Sequence, residues 1–236
     1  TLQELLRSDL PPMPSKATTP QDAERALRLY ARGRLELAAG DAARASDTLR
    51  AALALDPNEP AIWSALGTSS DEAGRSLDAW QARRRAAALG SDSLDVLVPL
   101  ALGAIERREA RLARSAAAAG LRGEALRGDA VAENVLWLAL ADAYALDGQS
   151  AREADALRRA LDTPATIAAP TRFVSAYTSL LRRRVSSMQR LGDLLLVMDQ
   201  PADAFETYLA LSALPGADPS SVLPRRVVAC LASNRP

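Results

Sequence analysis

Residues 60–93 read PAIWSALGTSSDEAGRSLDAWQARRRAAALGSDS, and residues 26–59 before them read ALRLYARGRLELAAGDAARASDTLRAALALDPNE. Laid over one another at a step of 34, Gly33 falls on Gly67, Gly40 on Gly74, Ala45 on Ala79, Ala52 on Ala86 and Leu55 on Leu89. Self-similarity at a fixed period of this length, carried by helix-forming residues, marks a tandem array of helix–turn–helix units. Gly40 and Gly74 break the run near the middle of each unit, Pro57 stops the second helix of the first unit, and Pro60 opens the next helix.

Beyond these two units, a weaker one spans 94–127, where Leu97, Leu100, Ala101 and Ala113 keep the pattern. There Arg108-Glu109 replaces the turn glycine. Pro99 falls inside the first helix, which must kink or start late, and Gly120 and Gly123 interrupt the run after Ala113. A fourth unit at 134–164 is clear again through Trp137, Leu140, Ala141, Tyr144, Gly148, Leu157 and Ala160. After it, 165–236 reads as a diverged helical repeat and capping helices: one helix over 170–184, a fifth unit around Met188, Leu191, Gly192, Leu195, Ala204 and Tyr208, and a closing helix over 220–231. Terminal helices of such arrays need a polar outer face, which Arg225 and Arg226 are expected to supply. Residues 1–21 hold a short amphipathic piece, Leu2 to Leu10, then a proline-rich lead-in or linker.

Composition agrees with an all-helical chain. Of 236 residues 48% are hydrophobic, dominated by Ala and Leu, and only 4% are aromatic. Lys+Arg and Asp+Glu balance at 29 each, so no global field draws in nucleic acid or anionic lipid. Lys16 is the sole lysine, which points to a GC-rich genome rather than selection for guanidinium contacts. The single cysteine, Cys230, rules out an internal disulfide and a cysteine metal cage. No uncharged apolar run approaches the roughly 18 residues that span a bilayer. The chain opens at Thr1 without a visible signal peptide, as a fragment or processed form would. A bacterial cytoplasm is the favoured compartment, and a removed leader would place the chain in the periplasm or cell envelope.

Trp63-x2-Leu66-Gly67 followed by Gly74, Ala79 and Ala86 resembles the tetratricopeptide repeat signature in position and spacing, and Gly33, Gly40, Ala45, Ala52 and Pro57 repeat it. The resemblance covers most of 22–214. It implies a right-handed α-solenoid of antiparallel helix pairs, in which Gly33, Ala45, Gly67 and Ala79 let helix backbones approach and Trp63 fills the space between neighbouring units. It also implies a concave groove lined by the first helix of each unit. The implied positions are Tyr30, Arg34 and Leu37 in the first unit, Ser64, Thr68 and Asp71 in the second, Val98, Leu102 and Ile105 in the third, and Leu138, Asp142 and Ala145 in the fourth. This mixture suits a peptide or helical segment with apolar anchors, although several of these side chains can equally pack against neighbouring helices. The carboxylate clamp of the chaperone-binding members is not reproduced. Its matching positions include Tyr30, Arg34, Ala65, Asp95 and Pro99, of which only Arg34 is cationic.

Enzyme chemistry finds no foothold in the sequence. There is no histidine, no phosphate-binding glycine loop, no dinucleotide fingerprint and no paired-cysteine or carboxylate metal motif. The expected function is therefore a non-catalytic protein-interaction scaffold that takes a protein or peptide partner in the groove, with no cofactor and no metal. Two alternatives stay open. The stretch Thr163–Gly192 contains Arg172, Arg182, Arg183, Arg184 and Arg190 and no acid, which suits an anion- or nucleic-acid-associated module, although no aromatic platform interleaves it. The chain also reads as the scaffold segment of a larger enzyme or cell-envelope assembly.

Overall fold

The structure is a computed structural model that describes residues 1–10, 18–162, 173–214 and 216–233. Among the described residues all regular structure is helical. In chain order the helices are α1 (Leu2–Asp9), α2 (Pro20–Ala38), α3 (Ala42–Leu55), α4 (Pro60–Glu72), α5 (Ser76–Ala88), α6 (Leu94–Glu106) and α7 (Ala110–Arg122). After a short 3₁₀ turn come α8 (Ala130–Leu146), α9 (Ser150–Asp162), α10 (Val174–Val197), α11 (Pro201–Ser212) and α12 (Pro219–Ser233). The chain forms two compact units, residues 1–107 with 115–125, and residues 108–114 with 126–236.

In the first unit α2 pairs with α3 and α4 with α5, while α3 stacks on α4 and α5 on α6. Each pair forms for local reasons. Thr19 caps α2 through a hydrogen bond from the Asp22 amide at 3.1 Å, with Pro20 preset for the first turn. The helix ends with Gly40 at φ 84°, where the Asp41 amide reaches the Glu36 carbonyl at 3.0 Å and the Gly40 amide the Leu37 carbonyl at 2.9 Å. That double closure satisfies carbonyls that the helix end would leave bare. The same closure recurs at Gly74, at Gly148 and, without glycine, at Asp199 with φ 57°. At the third turn Arg108 takes a left-handed backbone with φ 57°, so the left-handed position is kept although the glycine is not.

Close approach of paired helices rests on missing side chains. A Cβ on Gly33 would lie 2.8 Å from Cγ of Leu49, and one on Gly67 3.1 Å from Cγ of Arg83. Ala45 and Ala79 are fully buried opposite them. Leu49, Ala52, Ile62, Leu66 and Ala82 form the core that joins successive pairs, and Trp63 packs against it while donating to the Pro57 carbonyl at 2.8 Å. Full burial of a leucine side chain stabilises by roughly 1.5–3 kcal/mol, so the large residues supply the strength of this seam and the small ones its closeness. The short amphipathic piece at the start of the chain forms a capped helix: α1 packs on α5, buries Leu6 completely, and sets Asp9 3.5 Å from Arg84.

In the second unit α8 pairs with α9 and α10 with α11; α9 and α8 also contact α10, and α12 packs on α11 and α10. A Cβ on Gly192 would meet the Tyr208 ring at 2.5 Å, so this diverged pair closes by the same device. The Tyr208 hydroxyl donates to Asp193 at 2.5 Å, and Nε of Arg225 donates to the same carboxylate at 2.9 Å. Burial first, and then the Asp193 carboxylate, push the Tyr208 phenol far above its ordinary range.

α6 starts at Leu94, five residues before Pro99, so of the two alternatives expected at that proline the late start is excluded. Three sequence expectations need correction. α7 runs unbroken through Gly120. The helix expected over 170–184 and the one expected around Met188 are a single α10, because Val185, Ser186 and Ser187 contain no breaker; its expected start lies outside the described residues. The outer face of α12 is apolar: Leu223, Val227, Val228 and Leu231 are exposed, whereas Arg225 binds Asp193 and Arg226 lies over Phe205.

Candidate functional site

Five of the six expected groove positions of the first two repeats meet in one cavity of about 500 Å³ within the first compact unit. Tyr30, Arg34 and Leu37 from α2 and Ser64 and Thr68 from α4 line it, as do Ala61 and Ala65. These side chains share a wall because helical residues three and four apart lie on one face. Nη1 of Arg34 donates to the Tyr30 hydroxyl at 2.9 Å, with its guanidinium carbon 5.8 Å from the ring centre. Apart from Asp95, one of the clamp-matching positions, the rest of the rim was not anticipated from sequence. It consists of Glu59 and Pro60 before and at the start of α4, and Gly90, Ser91, Asp92, Ser93 and Asp95 leading into α6. Glu59 and Ser93 are the N-caps of α4 and α6 and stand one period apart, so the repeat that places the walls places the rim too. Three carboxylates and one guanidinium therefore face this cavity.

The remaining groove positions divide. Asp71 and Leu102 line a smaller cavity of about 240 Å³ with Trp80, Arg83, Pro99 and Arg107, where Asp71 is ion-paired to Arg83. Val98 and Leu138 are buried and belong to the core. Ile105 and Ala145 are half-buried, and Asp142 is engaged by Arg183. A further cavity of about 460 Å³ is walled by α3, α4 and α5, with Leu53, Pro57, Trp63 and Leu66 at its apolar side and the Arg50–Asp78 pair, 2.6 Å apart, at its edge.

Two arginines of the basic stretch are paired with acids from other helices. Nη2 of Arg183 donates to Asp142 of α8 at 2.9 Å, Arg190 is ion-paired to the buried Glu153 of α9, and Arg184 donates to the Leu161 carbonyl at 3.0 Å. Arg182 is exposed, and Arg172 lies outside the described residues. Elsewhere arginines stack on aromatic rings: Arg107 sits 4.3 Å from the Trp80 ring centre and Arg159 4.8 Å from that of Trp137. A planar guanidinium suits such packing better than an ammonium, so arginine usage has a structural use here beyond base composition. Among the described residues no three His, Cys, Asp or Glu side chains are grouped to hold a metal ion, and no helix is long and apolar enough to cross a membrane.

Residues 21–69 match the tetratricopeptide repeat family. No curated protein is a significant sequence match. Among solved structures the chain is similar to MamA 41-end from Desulfovibrio magneticus RS-1, with 16% identity, 83% of this chain and 96% of that one covered, and a TM-score of 0.50. It is similar to PilF of Pseudomonas aeruginosa, with 18% identity, 90% of each chain covered and a TM-score of 0.50. A further MamA structure gives 14% identity, 90% and 96% coverage and a TM-score of 0.53. At these identities the likeness is one of fold. Stacked antiparallel helix pairs, closed by small residues and joined by left-handed turns, make this a protein of tetratricopeptide-repeat-like fold.

Proposed function

We propose that the chain is a non-catalytic protein-interaction scaffold and that the cavity between α2, α4 and the entry to α6 receives a peptide or helical segment of its partner. The convergence of Tyr30, Arg34, Leu37, Ser64 and Thr68 on one cavity supports this reading. Leu37, Ala61 and Ala65 offer apolar contact, and the hydroxyls of Tyr30, Ser64 and Thr68 offer hydrogen bonds that fix register. Its mechanism is equilibrium binding on a preformed surface held by buried helix pairs.

Affinity capture with the wild-type chain and with Ser64→Arg tests the reading, with circular dichroism checking that both fold. Ser64 is half-buried at the cavity wall, so a long cation there obstructs the space without entering the core. Partner recovered by the wild type and lost with the variant is the expected result. Equal recovery by both places the contact elsewhere. The basic stretch is not favoured as a second reading, since Asp142 and Glu153 occupy two of its arginines.

A further inference from the structure

We infer that the segment received by this cavity is basic, presenting a lysine, an arginine or a free amino terminus between Glu59 and Asp92. The inference rests on the proposed function and specifies the partner's chemistry. The cavity joins two hydrogen-bonding inventories that are far from balanced. Glu59, Asp92 and Asp95 bring carboxylates, which only accept, and they come from the two N-terminal edges of α4 and α6. The one cation among the lining residues, Arg34, is directed to the Tyr30 hydroxyl, and Glu59 uses one oxygen on the Ala61 amide at 3.1 Å. Asp92 is exposed on the turn after the left-handed Gly90. An acidic segment entering here would meet like charges at Glu59 and Asp92. A segment carrying a cation gains charge-assisted hydrogen bonds to Asp92 and to the second oxygen of Glu59, while its apolar residues rest on Leu37 and Ala65. The cavity has room for a few side chains rather than a folded domain.

The test pans a phage-displayed library of random dodecapeptides on the full chain at low ionic strength. One enriched peptide is then synthesised with a fluorophore and titrated by anisotropy against the wild type, Asp92→Asn, Glu59→Gln, Arg34→Gln and Ser64→Arg. Glu59→Gln keeps an acceptor for the Ala61 amide, so the α4 cap persists. Lysine and arginine should be enriched over aspartate and glutamate. Asp92→Asn and Glu59→Gln should each weaken binding about two- to five-fold, the scale of exposed charge pairs. Arg34→Gln should tighten it, and added salt should weaken it. Enrichment of acidic or neutral peptides, or weaker binding by Arg34→Gln, overturns the inference; if Ser64→Arg still abolishes that binding, the groove reading survives without it. Basic peptides whose binding ignores Ser64→Arg overturn both, as does recovery of no peptide at all.

Discussion

Asp142 of α8 and Arg183 of α10 are joined by a 2.9 Å ion pair across 41 residues of chain. The first is a groove position implied by the repeat register, and the second belongs to a stretch with no acid of its own. Their contact commits both to holding α8 against α10. Glu153 and Arg190 do the same between α9 and α10, with Glu153 buried and Arg190 half exposed. Removing the cation leaves the buried Glu153 carboxylate unpaired, so Arg190→Ala should lower stability by about 1–3 kcal/mol. Arg183→Ala, at an exposed site, should change it by less than about 1 kcal/mol. Urea unfolding followed by circular dichroism measures both.

Glycines at helix crossings should rank by what their added Cβ meets. Gly192→Ala drives a methyl into the fully buried Tyr208 ring and should cost about 2–3 kcal/mol. Gly33→Ala meets the buried Leu49 and should cost about 1–3 kcal/mol. At Gly67 the obstruction is the flexible Arg83 stem, so Gly67→Ala should cost least of the three, about 1 kcal/mol or less. Thermal unfolding of the three variants gives the order.

The helix pairs and their crossings were legible because small residues and turn glycines recur with the period. That Tyr30, Arg34, Leu37, Ser64 and Thr68 share one cavity was legible from the repeat register on α2 and α4. Val98 and Leu138 were not separable from groove residues, since one helix face both lines a groove and meets the next pair, and only burial tells which. Glu59 and Asp92 escaped notice because they lie on the connections before α4 and α6, outside the first-helix positions that the family resemblance supplies. The acids that neutralise Arg183 and Arg190 belong to other helices, so a local charge count could not find them.

Left-handed backbone at a residue with a Cβ is strained, and Arg108 occupies the third turn at φ 57°. Arg108→Gly should therefore raise stability by about 0.5–1 kcal/mol, the relief of strain being partly offset by the freer unfolded chain. Asp199→Gly should act likewise at the turn after α10, where φ is 57°. A fall in melting temperature for both variants would refute the strain account.

The Tyr208 phenol is raised by burial and by Asp193, so the folded state favours its neutral form. Below pH about 10 the unfolded phenol is neutral too, and this group leaves stability independent of pH. Above pH about 10 the unfolded state ionises while the folded one does not, and stability should fall as pH rises, approaching about 1.4 kcal/mol per pH unit from this group. Tyr208→Phe should remove that component. Phenolate absorbance should also show one of the four tyrosines ionising only with unfolding.

The contact surface can be read most directly by photo-crosslinking in cells, with p-benzoylphenylalanine placed at Ser64 in the proposed groove or at Gln81 in the cavity between α3, α4 and α5. Adducts formed from position 64 and absent from position 81 are the predicted result. Adducts from position 81 alone would contradict the assignment of partner binding to the cavity between α2, α4 and the entry to α6.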